Sequence, residues 1–140
     1  MNDLPKMLIV EDNPEDLDLL KRAIRKSSVS VECEIATDGD AAVWALERAR
    51  GPEGQMPRVV LLDLKLPRRS GFEVLEWMRS TEAVRRVPVV ILTSSDNSDD
   101  LTRAYDLGAN SYLVKPVSPN ALSAMVEQID AYWLRLNYVA

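Results

Sequence analysis

The stretch that most constrains this chain is residues 58–70, RVVLLDLKLPRRS. Val59, Val60, Leu61 and Leu62 form an unbroken apolar run too short for a typical helix and flanked by Pro57 and Pro67, which predicts a strand buried on both faces of a parallel sheet. Asp63 ends the run. A carboxylate at that point falls in the crevice beyond the carboxyl ends of the strands, where open α/β sheets bind ligands. The competing reading is a residue that only caps or turns the chain. The remaining apolar runs decide between the two.

Lys6 to Val10 predicts a first buried strand, followed at once by Glu11 and Asp12. Asn13 is a good N-cap, Pro14 suits the first helical position, and Glu15 and Asp16 complement the helix dipole. Leu17, Leu20 and Ile24 then give a first helix its apolar face, ending around the serines at 27–30. Residues 31–35, VECEI, alternate apolar with acidic, as an edge strand with one exposed face does. After the Asp38-Gly39 turn, Ala42, Leu46 and Ala49, with Val43 beside them, define the inward face of a second helix. Trp44 falls nearly opposite, as a surface aromatic or a partner contact. A loop at 51–57 leads back to the Asp63 strand.

Residues 70–79 predict a third helix with Val74, Leu75 and Met78 inward. Residues 88–92 predict another buried strand, followed by Thr93, Ser94 and Ser95. Asn97 or Ser98 caps a fourth helix with Leu101, Ala104 and Tyr105 on one face, and Gly108 stops it. Ser111 to Val114 is a fifth short strand ending in Lys115-Pro116, and Ser118 with Pro119 opens a last helix reaching Trp133 or beyond. Five strands alternate with five helices. That pattern implies right-handed crossovers, a doubly wound parallel sheet with helices on both faces, and a single α/β domain over 1–140.

Composition narrows the chemistry. A formal charge of −5 and a pI near 4.8 argue against a nucleic-acid footprint, and the 140 residues include no histidine. The missing histidine removes Ser-His-Asp triads, imidazole-ligated metals and any phosphohistidine on this chain. The Arg68-Arg69 and Arg85-Arg86 pairs fit solvated loops better than a phosphate-binding stripe. No apolar run approaches the roughly 20 residues that span a bilayer, and MNDLPK does not open a secretory leader. A cytoplasmic location with no membrane partner is therefore expected. The single Cys33 agrees with a reducing compartment.

In a parallel sheet every strand's carboxyl end lies on one edge, so Glu11, Asp12, Asp63, Thr93 and Lys115, at the ends of four strands, could converge there. Three carboxylates packed together raise one another's pKa unless a cation balances them. A hard divalent ion meets that need, Mg²⁺ first, with Mn²⁺ or Ca²⁺ as substitutes. Lys115 supplies a point charge for a phosphoryl group and the Thr93 hydroxyl a donor to one of its oxygens. A metal-held phosphoryl group beside an ionised carboxylate is set up for nucleophilic attack and an aspartyl phosphate. Asp63 is the expected nucleophile, Asp12 a direct metal ligand, and Glu11 a ligand acting through a bound water.

VEDNPED after the first strand, LLDLKLPRRSGFEVL around Asp63, ILTSSD after the fourth strand and GANSYLVKP at the fifth resemble the receiver domains of two-component response regulators over nearly the whole chain. The resemblance implies a flavodoxin-like (βα)5 sheet of order 2-1-3-4-5. It implies Asp63 as phosphoacceptor and the Lys65 backbone carbonyl as a further Mg²⁺ ligand. It also implies Thr93 and Tyr112 as a phosphorylation-driven switch pair and a cis Lys115–Pro116 bond. The phosphodonor would be a sensor histidine kinase or a His-phosphotransfer protein, and the protein a signalling component that only catalyses its own phosphotransfer and dephosphorylation.

The receiver pattern covers about 6–130, so 131–140 is expected to be a helical extension and no output domain is expected. Met125, Ile129, Tyr132, Trp133 and Leu136 continue an apolar stripe into it, read either as core or as a homodimer face. The AYDLGANSYLVKPV and AYWLRLN stretches are similar to single-domain regulators serving bacterial phytochrome kinases. Other classes fit less well. A haloacid-dehalogenase-type phosphatase needs an acid at position 65, where this chain has Lys65, and a nucleotide-binding Rossmann protein a glycine-rich turn where it has EDNPED. A constitutive, phosphorylation-independent adaptor on the same fold is the remaining alternative.

Overall fold

In a computed structural model, which describes residues 4–140, the apolar runs become β1 (Lys6–Val10), β3 (Val59–Leu62) and β4 (Val89–Thr93), three adjacent strands at the centre of a parallel five-stranded sheet. β2 (Glu32–Ala36) and β5 (Ser111–Val114) form its edges, in the order β2-β1-β3-β4-β5. Side chains on a strand alternate faces, and these strands build two separate cores from that alternation. Leu8, Val10, Val60, Leu62 and Ile91 face one layer with α2 (Gly39–Ala49), α3 (Gly71–Ser80) and α4 (Ser98–Asp106). Met7, Ile9, Val59, Leu61, Val90 and Leu92 face the other with α1 (Pro14–Lys26) and α5 (Pro119–Ile129). The register fixes which side chain reaches which edge: Val10 pairs with Leu62, and Leu62 with Ile91.

Local chemistry sets the helix starts. Asn13, Asp38, Asn97 and Ser118 each accept a backbone N–H at the first turn of α1, α2, α4 and α5. Ser70 and Glu73 form a reciprocal capping box at α3. Ala42, Leu46, Val74, Leu75 and Met78 are fully buried, as their spacing predicts, and Trp44 is 62 % exposed beneath the Arg48 guanidinium.

α4 departs from expectation. Only Ala104 is buried on it, while Leu101 and Tyr105 lie open to solvent. This nine-residue helix rests on the sheet edge through one small side chain, so residues three before and one after the contact line fall on its flanks. Arg68-Arg69 also differs from a simply solvated loop. Arg68 Nε lies 3.6 Å from Asp38 and Arg69 Nε 3.1 Å from Asp40, docking the β3–α3 loop on the start of α2. Arg68 takes a left-handed conformation (φ 69°) to make that turn.

The last helix is long but not uniformly α. After Ile129 it widens into a π-helical segment, Asp130–Leu136, closed by a 2.7 Å bond from Asn137 N–H to the Tyr132 carbonyl. The wider turn puts Leu134 in the core with Ile129, five residues away, and leaves Tyr132 and Leu136 exposed. The expected stripe through Tyr132, Trp133 and Leu136 is thus broken by a change of helical period. Every peptide bond described is trans, Lys115–Pro116 included, which corrects the cis expectation. Trans is the intrinsic preference of an X–Pro bond by about 0.5–1 kcal/mol.

Candidate functional site

At the carboxyl ends of β1 and β3, Glu11, Asp12 and Asp63 each offer an oxygen within 4.8 Å of the others. The convergence follows from the register: the Glu11 amide bonds the Ala36 carbonyl and the Asp63 amide the Val10 carbonyl, so both acids leave the sheet at the same height. Glu11 and Asp63 are buried and Asp12 is exposed. Asp63 Oδ1 accepts from the Leu64 amide at 2.7 Å, and the Lys65 amide lies 3.5 Å from it. Gly71 closes this loop from behind. Its amide bonds the Leu64 carbonyl, and a Cβ there would stand 2.1 Å from the Asp63 carbonyl oxygen.

Lys115, delivered by β5, reaches across β4. Its Nζ lies 2.6 Å from Glu11 Oε1, 2.8 Å from Asp63 Oδ2 and 2.9 Å from Asp16 Oδ2, satisfying all three ammonium donors. Burial by itself pulls the Lys115 ammonium down. The hydrogen bonds from Asp63, Glu11 and Asp16 outweigh it and hold the pKa above that of an ordinary lysine. Desolvation dominates at Glu11 and pushes its carboxyl above the usual glutamate value of 4.5, with the Asp63 charge adding to the push. Lys115 opposes that shift without cancelling it, because one cation is shared among three acids.

The donor set fits a divalent ion. Glu11, Asp12 and Asp63 bring three hard carboxylate oxygens together, and the one ammonium present, Lys115, contacts Glu11 and Asp63 and is shared with Asp16, so the acids outnumber it and suit the chemistry that Mg²⁺ and its relatives select.

Thr93, the last residue of β4, is fully buried, and its hydroxyl lies 3.5 Å from the Ser95 amide. Tyr112 is half-buried on β5 and donates its phenol hydrogen to the Ser95 carbonyl at 2.9 Å. The pair is therefore joined through the β4–α4 loop, in which Ser95 Oγ also donates to Asp100. Glu11, Asp12, Asp63 and Lys115 thus meet at the carboxyl ends of the strands, whereas the Thr93 and Tyr112 side chains are linked to each other through Ser95 and make no hydrogen bond to that group. Asp16 is an addition. Read only as a dipole-complementing acid of the first helical turn, it contacts Lys115 across 99 positions of sequence, and no local pattern carries such a contact.

Residues 7–127 match the family model described as the response regulator receiver domain. The probable methanogenesis regulatory protein FilR2 of Methanothrix harundinacea is 44% identical over 131 residues, covering 94% of this chain and 84% of that protein. Response regulator Rcp1 of Synechocystis is 38% identical over 132 residues, covering 93% and 90%. Its Mn²⁺-bound crystal structure superposes with a TM-score of 0.83 at 35% identity, over 97% of this chain and 99% of that one. The phosphorylated cyanobacterial phytochrome response regulator RcpA superposes with a TM-score of 0.87 at 36% identity, over 97% and 98%. With a 2-1-3-4-5 parallel sheet and a matching model over most of its length, this chain belongs to the response regulator receiver domain family.

Proposed function

We propose that this protein is a phosphoacceptor response regulator in which Asp63 takes a phosphoryl group from a histidine kinase or a His-phosphotransfer protein. The observation that carries the reading is the meeting of Glu11, Asp12 and Asp63 at two adjacent strand ends, with Lys115 bridging Glu11 and Asp63. One Asp63 oxygen is held by a backbone amide and the other by Lys115, so the carboxylate is oriented before a donor arrives. In the transfer, an Asp63 oxygen forms the new bond to phosphorus while the bond to the donor imidazole nitrogen breaks and its electron pair returns to that nitrogen. Lys115 offsets charge on the transferred group, and the Thr93 hydroxyl donates to one of its oxygens. Asp12, Asp63 and the Lys65 carbonyl, with Glu11 through water, would hold Mg²⁺, which supplies charge neutralisation for the incoming phosphoryl oxygens.

Thr93 and Tyr112 act as the switch, repacking the β4–α4 loop that already joins them. The likeness to RcpA, a phytochrome response regulator, supports a phytochrome-type light-sensing kinase as donor, and the exposure of Tyr132, Leu136 and Tyr138 supports the terminal segment as a homodimer face.

The test is intact mass after incubation with Mg²⁺ and a small acyl phosphate, with Asp63→Asn and metal-chelated samples alongside. A single phosphoryl adduct lost in both controls is expected. Wild-type protein left unmodified both by this donor and by a panel of histidine kinases would favour the constitutive adaptor instead.

A further inference from the structure

Lys115 and a divalent cation compete for the same two carboxylates. Nζ is hydrogen-bonded to Glu11 Oε1 and Asp63 Oδ2, and those two residues supply two of the three carboxylates in the metal-competent group. A cation entering there meets the ammonium at close range beside the buried Glu11 and Asp63, where water screens the two charges less than at an open surface. Lys115 cannot simply lose its partners, because its side chain is only 15% exposed and an unpaired buried ammonium is costly.

Asp16 resolves the conflict. Among the described residues it is the one carboxylate on Lys115 outside the metal-competent group, 2.9 Å from Nζ and more open to solvent than Glu11 or Asp63. Its place is fixed by the start of α1, where its own amide is held at 3.0 Å by the Asn13 cap. A cavity of about 40 Å³, lined by Glu11, Asp16 and Lys115 together with leucines and Pro116, lies beside this ion pair, so the side chains there are not closely packed.

We propose that Asp16 is a positioning residue: it is the seat to which Lys115 withdraws when the cation takes Glu11 and Asp63, and it thereby sets the metal affinity of the site. The inference rests on the metal-dependent receiver reading given above. Without Asp16, Lys115 stays on the ligand carboxylates and the cation must displace it at full cost.

The test is a calorimetric Mg²⁺ titration of wild type, Asp16→Asn, Lys115→Met and the double variant, with folding checked by circular dichroism. Asp16→Asn should weaken binding about fivefold, the worth of one partly exposed ion pair, and Asp16→Glu should restore most of it. Lys115→Met should bind at least as tightly as wild type, and adding Asp16→Asn to it should change the affinity by less than about twofold. Equal weakening by Asp16→Asn in both backgrounds would reduce Asp16 to a distant negative charge and overturn the proposal, as would no weakening in the wild-type background. A wild-type protein that takes up no Mg²⁺ would instead remove the metal-dependent reading itself, an outcome separate from either result with Asp16.

Discussion

Arg79, at the C-terminal end of α3, offers a stability test independent of the phosphoryl site. Its guanidinium donates from Nε to the Gly108 carbonyl (2.9 Å), from Nη1 to the carbonyls of Arg85 (3.0 Å) and Val87 (2.8 Å), and from Nη2 to Asn110 Oδ1 (2.8 Å). One side chain thus ties α3 to the loop entering β4 and the loop entering β5, at the amino ends of those strands. The bonds to Gly108 and Val87 are partly buried and the other two are exposed. Counting about 1.5 kcal/mol for each partly buried charged bond and a few tenths for each exposed one, Arg79→Ala should cost about 3–4 kcal/mol. For a 140-residue domain that lowers Tm by roughly 10 °C. Arg79→Lys keeps the charge but not the planar fork and should recover less than half of the loss. Urea unfolding followed by tryptophan fluorescence measures both. A loss below about 1 kcal/mol for Arg79→Ala, or a Lys variant as stable as wild type, would refute the argument that the fork's geometry joins these loops. Phosphoryl incorporation by the folded Arg79→Ala protein should be unchanged, because the site lies at the opposite sheet edge.

Glu11→Gln tests the electrostatics. A carboxyl whose folded pKa lies above its unfolded value contributes stability at low pH that is lost as pH rises through the folded pKa. In metal-free buffer Glu11→Gln should therefore gain on wild type as pH rises above about 4.5, and a flat difference in unfolding free energy between pH 4 and 7 would contradict the assigned shift. Gly71→Ala drives a Cβ against the Asp63 carbonyl and should destabilise by about 2–4 kcal/mol while impairing phosphoryl uptake, read by denaturant unfolding and intact mass; normal uptake would show that the loop yields without moving Asp63.

Much of this molecule was legible because its information is local. The four-residue run before Asp63, too short for a helix and flanked by prolines, reads as a buried strand, and the Ser70–Glu73 capping box reads directly from residues three apart. The convergence of Glu11, Asp12, Asp63 and Lys115 was legible one level higher, since parallel strands send all their ends to one edge. The rest depends on distances that periodicity does not encode. The Asp16–Lys115 bond and the Arg79 fork are long-range choices of flexible side chains. The exposure of Leu101 and Tyr105 depends on how far α4 lies over the edge strand, a matter of packing and not of helical spacing. The period change at Asp130 arises where Ile129 and Leu134 both seek the core, which a fixed 3.6-residue period does not allow.

That period change has a mechanical meaning. A π-helical turn is a helix that has absorbed one surplus residue without breaking, and each residue added or removed rotates everything beyond it by roughly 100° about the axis. The segment Asp130–Leu136 therefore works as an angular coupling between a core fixed by Ile129 and Leu134 and the aromatic side chains of Tyr132 and Tyr138 that point away from it. Lengthening or shortening it by one residue would leave the sheet and its acidic edge untouched while turning the terminal aromatics to a new compass bearing. In such a chain the bearing of the terminal aromatics and the geometry of the acidic edge can vary independently.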